Sequence, residues 1–141
     1  MKLHPAVAPS LESWHRMVAG GDLSGLPALV DPDAVFRSPV AHTPYASAAA
    51  VVLVLKTAYQ VFEHFTYHRQ LATDDGLSVV LEFSASVGDK QLKGIDFIRF
   101  NENGKIVEFE VMVRPLSGLQ ALGAAMGARI GDRIPAFKAP A

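Results

Sequence analysis

The chain has 141 residues and a mass of 15.1 kDa, a length typical of one domain. Half of the residues are hydrophobic and 19% are charged, a globular composition that excludes an intrinsically disordered chain. The 13 lysines and arginines against 14 acidic residues leave a net charge of −1, which argues against a nucleic-acid-binding protein. The absence of cysteine excludes disulfides, thiolate metal sites and cysteine nucleophiles.

The N-terminal residues contain one early lysine and only scattered apolar residues, which is not the pattern of a signal peptide. The longest apolar run, at residues 48–55, is far too short to cross a membrane as a helix. We therefore expect a soluble, cytoplasmic protein with no membrane partner.

The first half of the chain carries helical patterns. Ser10 is predicted to cap the first helix, and the pair Gly20 and Gly21 is predicted to end it. Asp22 is predicted to cap a second, short helix. Turn residues and then a brief strand, ended by Pro39, are expected within residues 31–40. Residues 45–60 lack glycine and proline, and that length favours a buried helix over a strand.

The second half carries turn signals at hairpin spacing, at residues 74–76, 88–89 and 101–104. The segments between them predict four antiparallel strands, at residues 62–72, 77–87, 91–100 and 106–114. A final helix is expected at about 117–130, followed by a frayed tail at 131–141. Helices before and after a meander predict a single α+β domain over residues 1–141, with a core at about 11–115.

The parity of the hairpins predicts which side chains share a face of the sheet. Opposed residues of antiparallel strands point to the same side, and a two-residue loop at Gly88 pairs odd with even residues. One face then collects a mostly apolar set: Leu81, Phe83, Ala85, Gly94, Asp96, Ile98, Val107, Phe109, Val111 and Val113. Asp96 is the single carboxylate in that set.

An aspartate among Leu, Phe and Val side chains is costly to bury in its ionised form. Asp96 is therefore expected to stay neutral through a raised pKa, to find a partner, or to face a cavity that holds water. The alternative is a solvated aspartate at a strand end, paired with Lys93 or Arg99. Because those two residues have odd numbers on the strand, they should point away from Asp96.

Two segments carry a resemblance to a known superfamily. The segments are GDLSGLPALVDPDAVFRSP, beginning at Gly21, and GIDFIRFNENGKIVEFEVMVRP, beginning at Gly94. They resemble the nuclear-transport-factor-two-like superfamily, which includes ketosteroid isomerases, limonene epoxide hydrolases and SnoaL-like polyketide cyclases. The likeness covers about residues 11–115. It implies helices packed on a strongly curved, mainly antiparallel sheet that forms a cone with a central pocket, a cystatin-like α+β barrel.

The resemblance also assigns expected roles. Asp96 matches the acid that donates a hydrogen bond in the oxyanion hole of the isomerases. Their general base falls at Ser38 and their oxyanion tyrosine at Trp14, and neither residue can do the same chemistry. The hydrolases and cyclases place an acid where this chain has Val111. An isomerase- or cyclase-like reaction would therefore need another base.

The histidines are the candidates for that base. On a strand, His64 and His68 would lie roughly 13 Å apart, too far to share a metal. They face inward with Phe83 if the loop after that strand, at residues 74–76, has two residues, and outward if it has three. His42, in the loop after Ser38, lies near the expected mouth of the pocket and could act as the base or be a solvated residue.

The expected ligand is a small, mostly apolar molecule, with Asp96, His42 and His64 as catalytic candidates. The expected binding residues are Trp14, Phe36, Ser38, Val40, Leu81, Phe83, Ile98, Phe109, Val111 and Val113. Tyr45 and Tyr59 could line the same cavity or belong to the core. No metal or cofactor is expected, and the resemblance and an amphipathic outer sheet face imply a homodimer. The alternatives are a non-catalytic binding protein and a dimerisation protein with a vestigial pocket.

Overall fold

The computed structural model describes residues 1–137. Three α-helices and six strands are joined by short turns, two of which are 3₁₀ turns. The helices are α1 (Val7–Gly20), α2 (Ala48–Val61) and α3 (Leu116–Ile130), and the 3₁₀ turns are Leu26–Leu29 and Ile134–Phe137. The strands are β1 (Val30–Arg37), β2 (Tyr45–Ala46), β3 (Glu63–Ala72), β4 (Ser78–Val87), β5 (Lys90–Phe100) and β6 (Ile106–Arg114).

The six strands form one mixed sheet in the order β2-β1-β6-β5-β4-β3. β3 to β6 are an antiparallel meander, and β1 runs parallel to β6. The sheet keeps two edges, β2 and β3, so it is not a closed barrel. The predicted α+β fold, with helices on a mainly antiparallel sheet, is confirmed.

The face assignment around Asp96 is also confirmed. Val87 pairs with Lys90, so the β4–β5 loop has the two residues that the parity argument assumed. Asp96 consequently lies opposite Leu81 on one side and Val111 on the other. All three side chains are buried.

The predicted cap of the first helix is wrong. α1 begins at Val7, three residues before Ser10, and the carbonyl of His4 accepts hydrogen bonds from the Val7 and Ala8 amides. Pro9 fits inside the first turn, because the early amides of a helix have no partner within it. The Ser10 hydroxyl instead donates to the carbonyl oxygen of Gly104 at 2.5 Å, which ties α1 to the β5–β6 turn.

Two further helix predictions need correction. The second helix is only the 3₁₀ turn Leu26–Leu29, and the Asp22 carboxylate accepts from the Ser24 amide within a turn before it. α2 begins at Ala48 rather than residue 45, since Tyr45–Ala46 pairs with β1 as a short strand. At the C-terminus, Ile134–Phe137 forms a 3₁₀ turn within the predicted tail, and residues 138–141 lie outside the described part.

A bulge in β3 settles the facing that the sequence left open. Gln70 pairs with Leu81, but the register shifts so that Tyr67 pairs with Phe83. The extra residue of a bulge inverts the parity of everything beyond it. Tyr67 therefore shares the face of Phe83, and His68 points outward, where its Nε2 lies 2.7 Å from the Ser84 hydroxyl.

A further bulge, where β5 meets β6, corrects the prediction for Val107. Arg99 pairs with Glu108 and Phe100 with Ile106, which leaves Val107 as the extra residue. Ile106 is fully buried and Val107 only half-buried, so Ile106 takes the inward place predicted for its neighbour.

No helix within residues 1–137 is both long enough and apolar enough to cross a membrane. In the same residues, no three histidine, aspartate or glutamate side chains come together in a way that could hold a metal ion.

Candidate active site

A cavity of about 210 Å³ lies between the inner face of the sheet, α2 and α3. Its wall is mostly apolar, and Asp96 is the one ionisable carboxyl among the described residues that line it. The lining residues are Phe36, Ser38, Pro39, Val40, Tyr45, Val54, Leu55, Ala58, Tyr59, Phe62, Asp96, Val111, Leu122, Gly123, Met126, Gly127, Ile130, Gly131 and Ile134. An apolar cavity with few convergent polar groups is typical of a small-molecule site.

Asp96 projects from the middle of β5 into this cavity and is only 3% exposed. One carboxyl oxygen, Oδ2, accepts hydrogen bonds from the hydroxyls of Tyr67 at 2.5 Å and Tyr59 at 3.3 Å. The other oxygen, Oδ1, has no hydrogen-bond partner within residues 1–137. A free carboxyl oxygen in an apolar cavity is a group that a ligand can satisfy.

Burial raises the pKa of Asp96 from 3.8 to about 7. The cause is the loss of hydration of the charged form, and the hydrogen bonds from Tyr67 and Tyr59 partly oppose it. The raised pKa predicted from the sequence agrees with this environment. Lys93 is no partner of Asp96, because its ammonium lies 3.1 Å from Glu82 on the other side of the sheet.

The two tyrosines belong to a longer hydrogen-bonded chain. The indole N–H of Trp14 donates to the Tyr67 hydroxyl at 3.0 Å, and the hydroxyls of Tyr59 and Tyr67 lie 2.9 Å apart. Burial, followed by the nearby charge of Asp96, raises the pKa of both tyrosines well above the usual value. They therefore act as neutral donors toward the carboxyl group.

The predicted binding residues divide into two groups. Those that line the cavity are Phe36, Ser38, Val40 and Val111. Those that pack outside it are Trp14, Leu81, Phe83, Ile98, Phe109 and Val113.

Aromatic rings fill the part of the cone where that second group was expected to meet a ligand. Phe62 and Phe65 pack on Phe83, with ring centroids 5.5 Å and 4.9 Å away. Trp14 packs edge-on against Phe109 and against Tyr59. These side chains are core residues, and the cavity that contains the Asp96 carboxyl lies toward α3 instead.

Neither catalytic histidine candidate reaches the cavity. His64 is exposed on β3, with its backbone in the left-handed region at φ 54°. His42 is exposed in the loop before β2 and is not among the lining residues. The geometry therefore gives neither histidine a route to a ligand beside Asp96.

Sequence reasoning missed Tyr67 and the contribution of α3. The bulge in β3 hid the inward facing of Tyr67, because strand parity alone cannot register an inserted residue. The spacing of Leu122, Met126 and Ile130 does place them on one side of a helix, and all three line the cavity.

Comparison with known proteins identifies relatives of this chain. A steroid delta-isomerase from Pseudomonas aeruginosa is 59% identical, with a TM-score of 0.92 over 96% of this chain and 98% of that one. An uncharacterised protein with a cystatin-like fold from Silicibacter pomeroyi is 34% identical, with a TM-score of 0.82 over 92% of this chain and 90% of that one.

The epoxide hydrolase LasB of Streptomyces lasalocidi is 33% identical over 105 residues, 69% of this chain. The match spans only 37% of that longer relative. The SnoaL-like domain family matches residues 11–109, which is most of the helix-and-sheet core. This chain therefore belongs to the SnoaL-like domain family.

Proposed function

We propose that the protein binds a small, mostly apolar ketone in the cavity and moves a proton between two of its carbon atoms. The observation that carries the proposal is the unpaired Oδ1 of Asp96 in an apolar cavity. A cavity of about 210 Å³ suits a ligand below the drug-sized range, for which pockets of roughly 300–1,000 Å³ are usual.

Asp96 is the proposed acid–base group. A pKa of about 7 provides both protonation states near neutral pH, as a group that takes and returns a proton needs. Ionised Asp96 would take a proton from the carbon between the carbonyl and a neighbouring double bond, leaving a dienolate and a neutral carboxyl. The carboxyl would then return that proton to the far carbon of the dienolate, forming the conjugated ketone.

Tyr59 supports this reaction over simple binding. Of the two tyrosines whose hydroxyls are bonded to Asp96, Tyr59 is the one whose side chain lines the cavity. Once Asp96 has taken a proton from the ligand, the single hydroxyl proton of Tyr59 could leave its 3.3 Å bond to that carboxyl and be donated to the ligand oxygen on which negative charge develops. The isomerase name of the 59% identical relative agrees with this class of reaction.

The test follows the ultraviolet absorption of the conjugated ketone formed from cyclohex-3-en-1-one and from a β,γ-unsaturated 3-ketosteroid. We expect conversion of at least one of them by the unaltered protein, with a rate that rises through pH 7 as Asp96 ionises. Asp96→Asn can donate a hydrogen bond but cannot take a proton, so it should lose at least about a hundredfold in rate. Asp89→Asn, in the exposed β4–β5 turn, is the matched control and should keep the full rate.

An active Asp96→Asn variant would contradict the role of Asp96 as the base. If the ketones bind, with affinity lowered by Asp96→Ala, but are not converted, the protein is a binding protein without this activity. Ketone binding that does not depend on Asp96 would contradict both the proposed catalysis and the alternative in which Asp96 only binds the ketone.

A further inference from the structure

Two side chains with hydroxyl groups lie on the wall of the cavity that β1 and β2 form. Phe36 pairs with Tyr45 across these strands, so both side chains point to the inner side of the sheet. Ser38 follows β1 directly and lies two residues beyond Phe36, which gives it the same facing. Ser38 and Tyr45 both line the cavity, as diagonal neighbours on this wall.

The Tyr45 hydroxyl is a polar group without a hydrogen-bond partner. Tyr45 is only 7% exposed, and buried tyrosine hydroxyls usually find a partner. Those of Tyr59 and Tyr67 do, whereas that of Tyr45 has none within residues 1–137. In the same residues, the one unpaired polar side-chain atom that is closed off from open space is Nε2 of His15. The Tyr45 hydroxyl therefore adjoins open space, in a residue that lines the cavity.

Ser38 adds an unused donor beside Tyr45. The Ser38 hydroxyl oxygen accepts a hydrogen bond from the Val40 amide at 3.1 Å, and the hydroxyl makes no other hydrogen bond within residues 1–137. A hydroxyl group has one proton to donate and two lone pairs, so the Val40 bond leaves that proton unused. Burial raises the pKa of the Tyr45 hydroxyl, which keeps it neutral and able to donate as well.

The two hydroxyls lie across the cavity from Asp96. β1 runs parallel to β6, and the continuation of their register beyond residue 37 places Ser38 beside Val111. Val111 in turn pairs with Asp96 on β5. Because neighbouring strands are about 4.8 Å apart, the backbones at Ser38 and Asp96 are separated by roughly 10 Å, and Tyr45 lies one strand further on. A small molecule in the cavity can therefore contact Asp96 at one end and the hydroxyls at the other.

We infer that the hydroxyls of Tyr45 and Ser38 form a second polar subsite, which binds another oxygen of the ligand across the cavity from Asp96. The inference rests on the proposed function for the presence of an apolar ketone in this cavity. It adds that the ligand carries a second oxygen acceptor, a carbonyl or an ether, at the end away from Asp96. A ligand with an apolar end there would leave the Tyr45 hydroxyl unpaired and is disfavoured.

The test compares two ketones that differ in one oxygen, cyclohexanone and cyclohexane-1,4-dione. Calorimetry measures the Kd of each at about pH 6, where Asp96, with its pKa of about 7, is mostly neutral and can donate to one carbonyl. The variants are Tyr45→Phe and Ser38→Ala. Ser24→Ala, which is exposed and does not line the cavity, is the matched control.

The unaltered protein should bind the dione at least as tightly as cyclohexanone. Tyr45→Phe removes one hydrogen bond, so it should weaken dione binding about fivefold to tenfold and change the Kd of cyclohexanone by less than about twofold. Ser38→Ala should weaken dione binding about threefold, and Ser24→Ala should change neither Kd.

Weaker binding of the dione than of cyclohexanone by the unaltered protein would overturn the subsite. So would equal effects of Tyr45→Phe on the two ketones, no effect on either, or unfolding of that variant, since unfolding would show that the fold needs the hydroxyl.

Asp96→Ala tests the proposed function separately and should weaken the binding of both ketones. If it does so while Tyr45→Phe changes neither, only the subsite fails. If Tyr45→Phe acts on the dione alone while Asp96→Ala changes neither, only the proposed function fails. If the unaltered protein binds neither ketone, both proposals fail.

Discussion

At the scale of single residues, the state of Asp96 is set by competing effects of known sign. Burial between Leu81 and Val111 favours the neutral acid, and the hydroxyls of Tyr67 and Tyr59 favour the carboxylate. Burial is the larger effect and lifts the pKa of Asp96 to about 7. At pH 7 the carboxyl of Asp96 is therefore about half ionised, whereas most aspartates are fully ionised at that pH.

The first prediction concerns stability and pH. The unfolded chain releases the Asp96 proton near pH 4 and the folded protein near pH 7, so stability from this group is greatest below pH 4. It should decline by a few kcal/mol as the pH rises from about 4 to 7, and then stay level. Carboxyl-carbon NMR gives the midpoint, and denaturant unfolding at each pH gives the stability.

Asp96→Asn should fold and should lack this decline, because its side chain is neutral at every pH. Asp89→Asn should keep the decline. A titration midpoint of the Asp96 carboxyl at or below about pH 3.9, the model-peptide value, would show that this aspartate is solvated. It would contradict the assignment of Asp96 as a buried acid in the cavity.

The second prediction separates the two tyrosines. Tyr67→Phe removes the 2.5 Å hydrogen bond to Asp96 and leaves the Trp14 N–H without its acceptor. We expect the pKa of Asp96 to rise further and the protein to lose about 1–3 kcal/mol of stability. Tyr59→Phe removes the longer, 3.3 Å bond to Asp96 together with the 2.9 Å contact to the Tyr67 hydroxyl, and it should shift the pKa of Asp96 less. A larger shift for Tyr59→Phe, by NMR titration, would reverse this ranking.

At the scale of elements, the turns hold the helices onto the sheet. The β5–β6 turn receives the N-terminus of α1, with the Ser10 hydroxyl bonded to the Gly104 carbonyl. Gly104 has φ +75°, and a Cβ there would lie 2.4 Å from the carbonyl oxygen of Ala6. The glycine thus serves two purposes, turn geometry and close approach of the helix.

The third prediction uses a matched pair of turn glycines. Gly88 also has a positive φ, of +60°, but a Cβ there would meet nothing within 4 Å. Gly88→Ala should therefore cost only backbone strain, about 1 kcal/mol. Gly104→Ala adds the clash with Ala6 and should cost about 1–3 kcal/mol more. The free energy of unfolding of both variants is measured by denaturant unfolding. An equal loss of stability in the two would show that α1 can move away from residue 104 without cost.

Elements and their order were predictable because turn residues and apolar periods are local signals. The facing of Asp96 followed from hairpin parity once a two-residue loop at Gly88 was assumed, and the pairing of Val87 with Lys90 agrees with that loop. The bulges near Tyr67 and Val107 were not predictable, because an inserted strand residue depends on contacts across the sheet rather than on its own type. The α1 cap at Ser10 failed for a related reason, since its partner, Gly104, is distant in sequence.

The candidate site was predicted only in part. Asp96 and Val111 could be placed because both face inward in the regular part of the meander. The size of the cavity could not be predicted, since it depends on how far Phe62 and Phe65 fill the cone. The histidines were misleading because their chemistry suits a base while their strand and loop positions leave them in solvent.

At the scale of the whole molecule, the outer face of the sheet carries an apolar patch. Leu71 pairs with Val80, Val80 pairs with Phe97, and Ile95 pairs with Met112, so these side chains are neighbours on one face. Leu71 is 63% exposed and Met112 is 45% exposed. Beside them, hydrogen bonding from Arg69 holds the pKa of Glu82 well below its usual range.

The fourth prediction is that this face pairs two copies of the chain around a two-fold axis. An exposed apolar patch with a charged rim is typical of such an interface. Sedimentation at micromolar concentration should give twice the mass of one chain, and Met112→Asp should shift it to the monomer. Leu116→Asp, exposed at the start of α3, should leave the dimer intact. A single 15.1 kDa species of the unaltered protein would refute the dimer.

The parallel pairing of β1 with β6 has a consequence for how the molecule is assembled in time. β1 is made early, but Val35 finds its partner only once Glu108 has been synthesised. The β3–β6 hairpins join neighbouring segments and can close without waiting. The wall that Phe36 contributes should therefore be completed after the meander, and we expect the Asp96 carboxyl to keep part of its hydration until then. Because burial is what raises the pKa of Asp96, we expect proton uptake by this side chain near neutral pH to come late in folding.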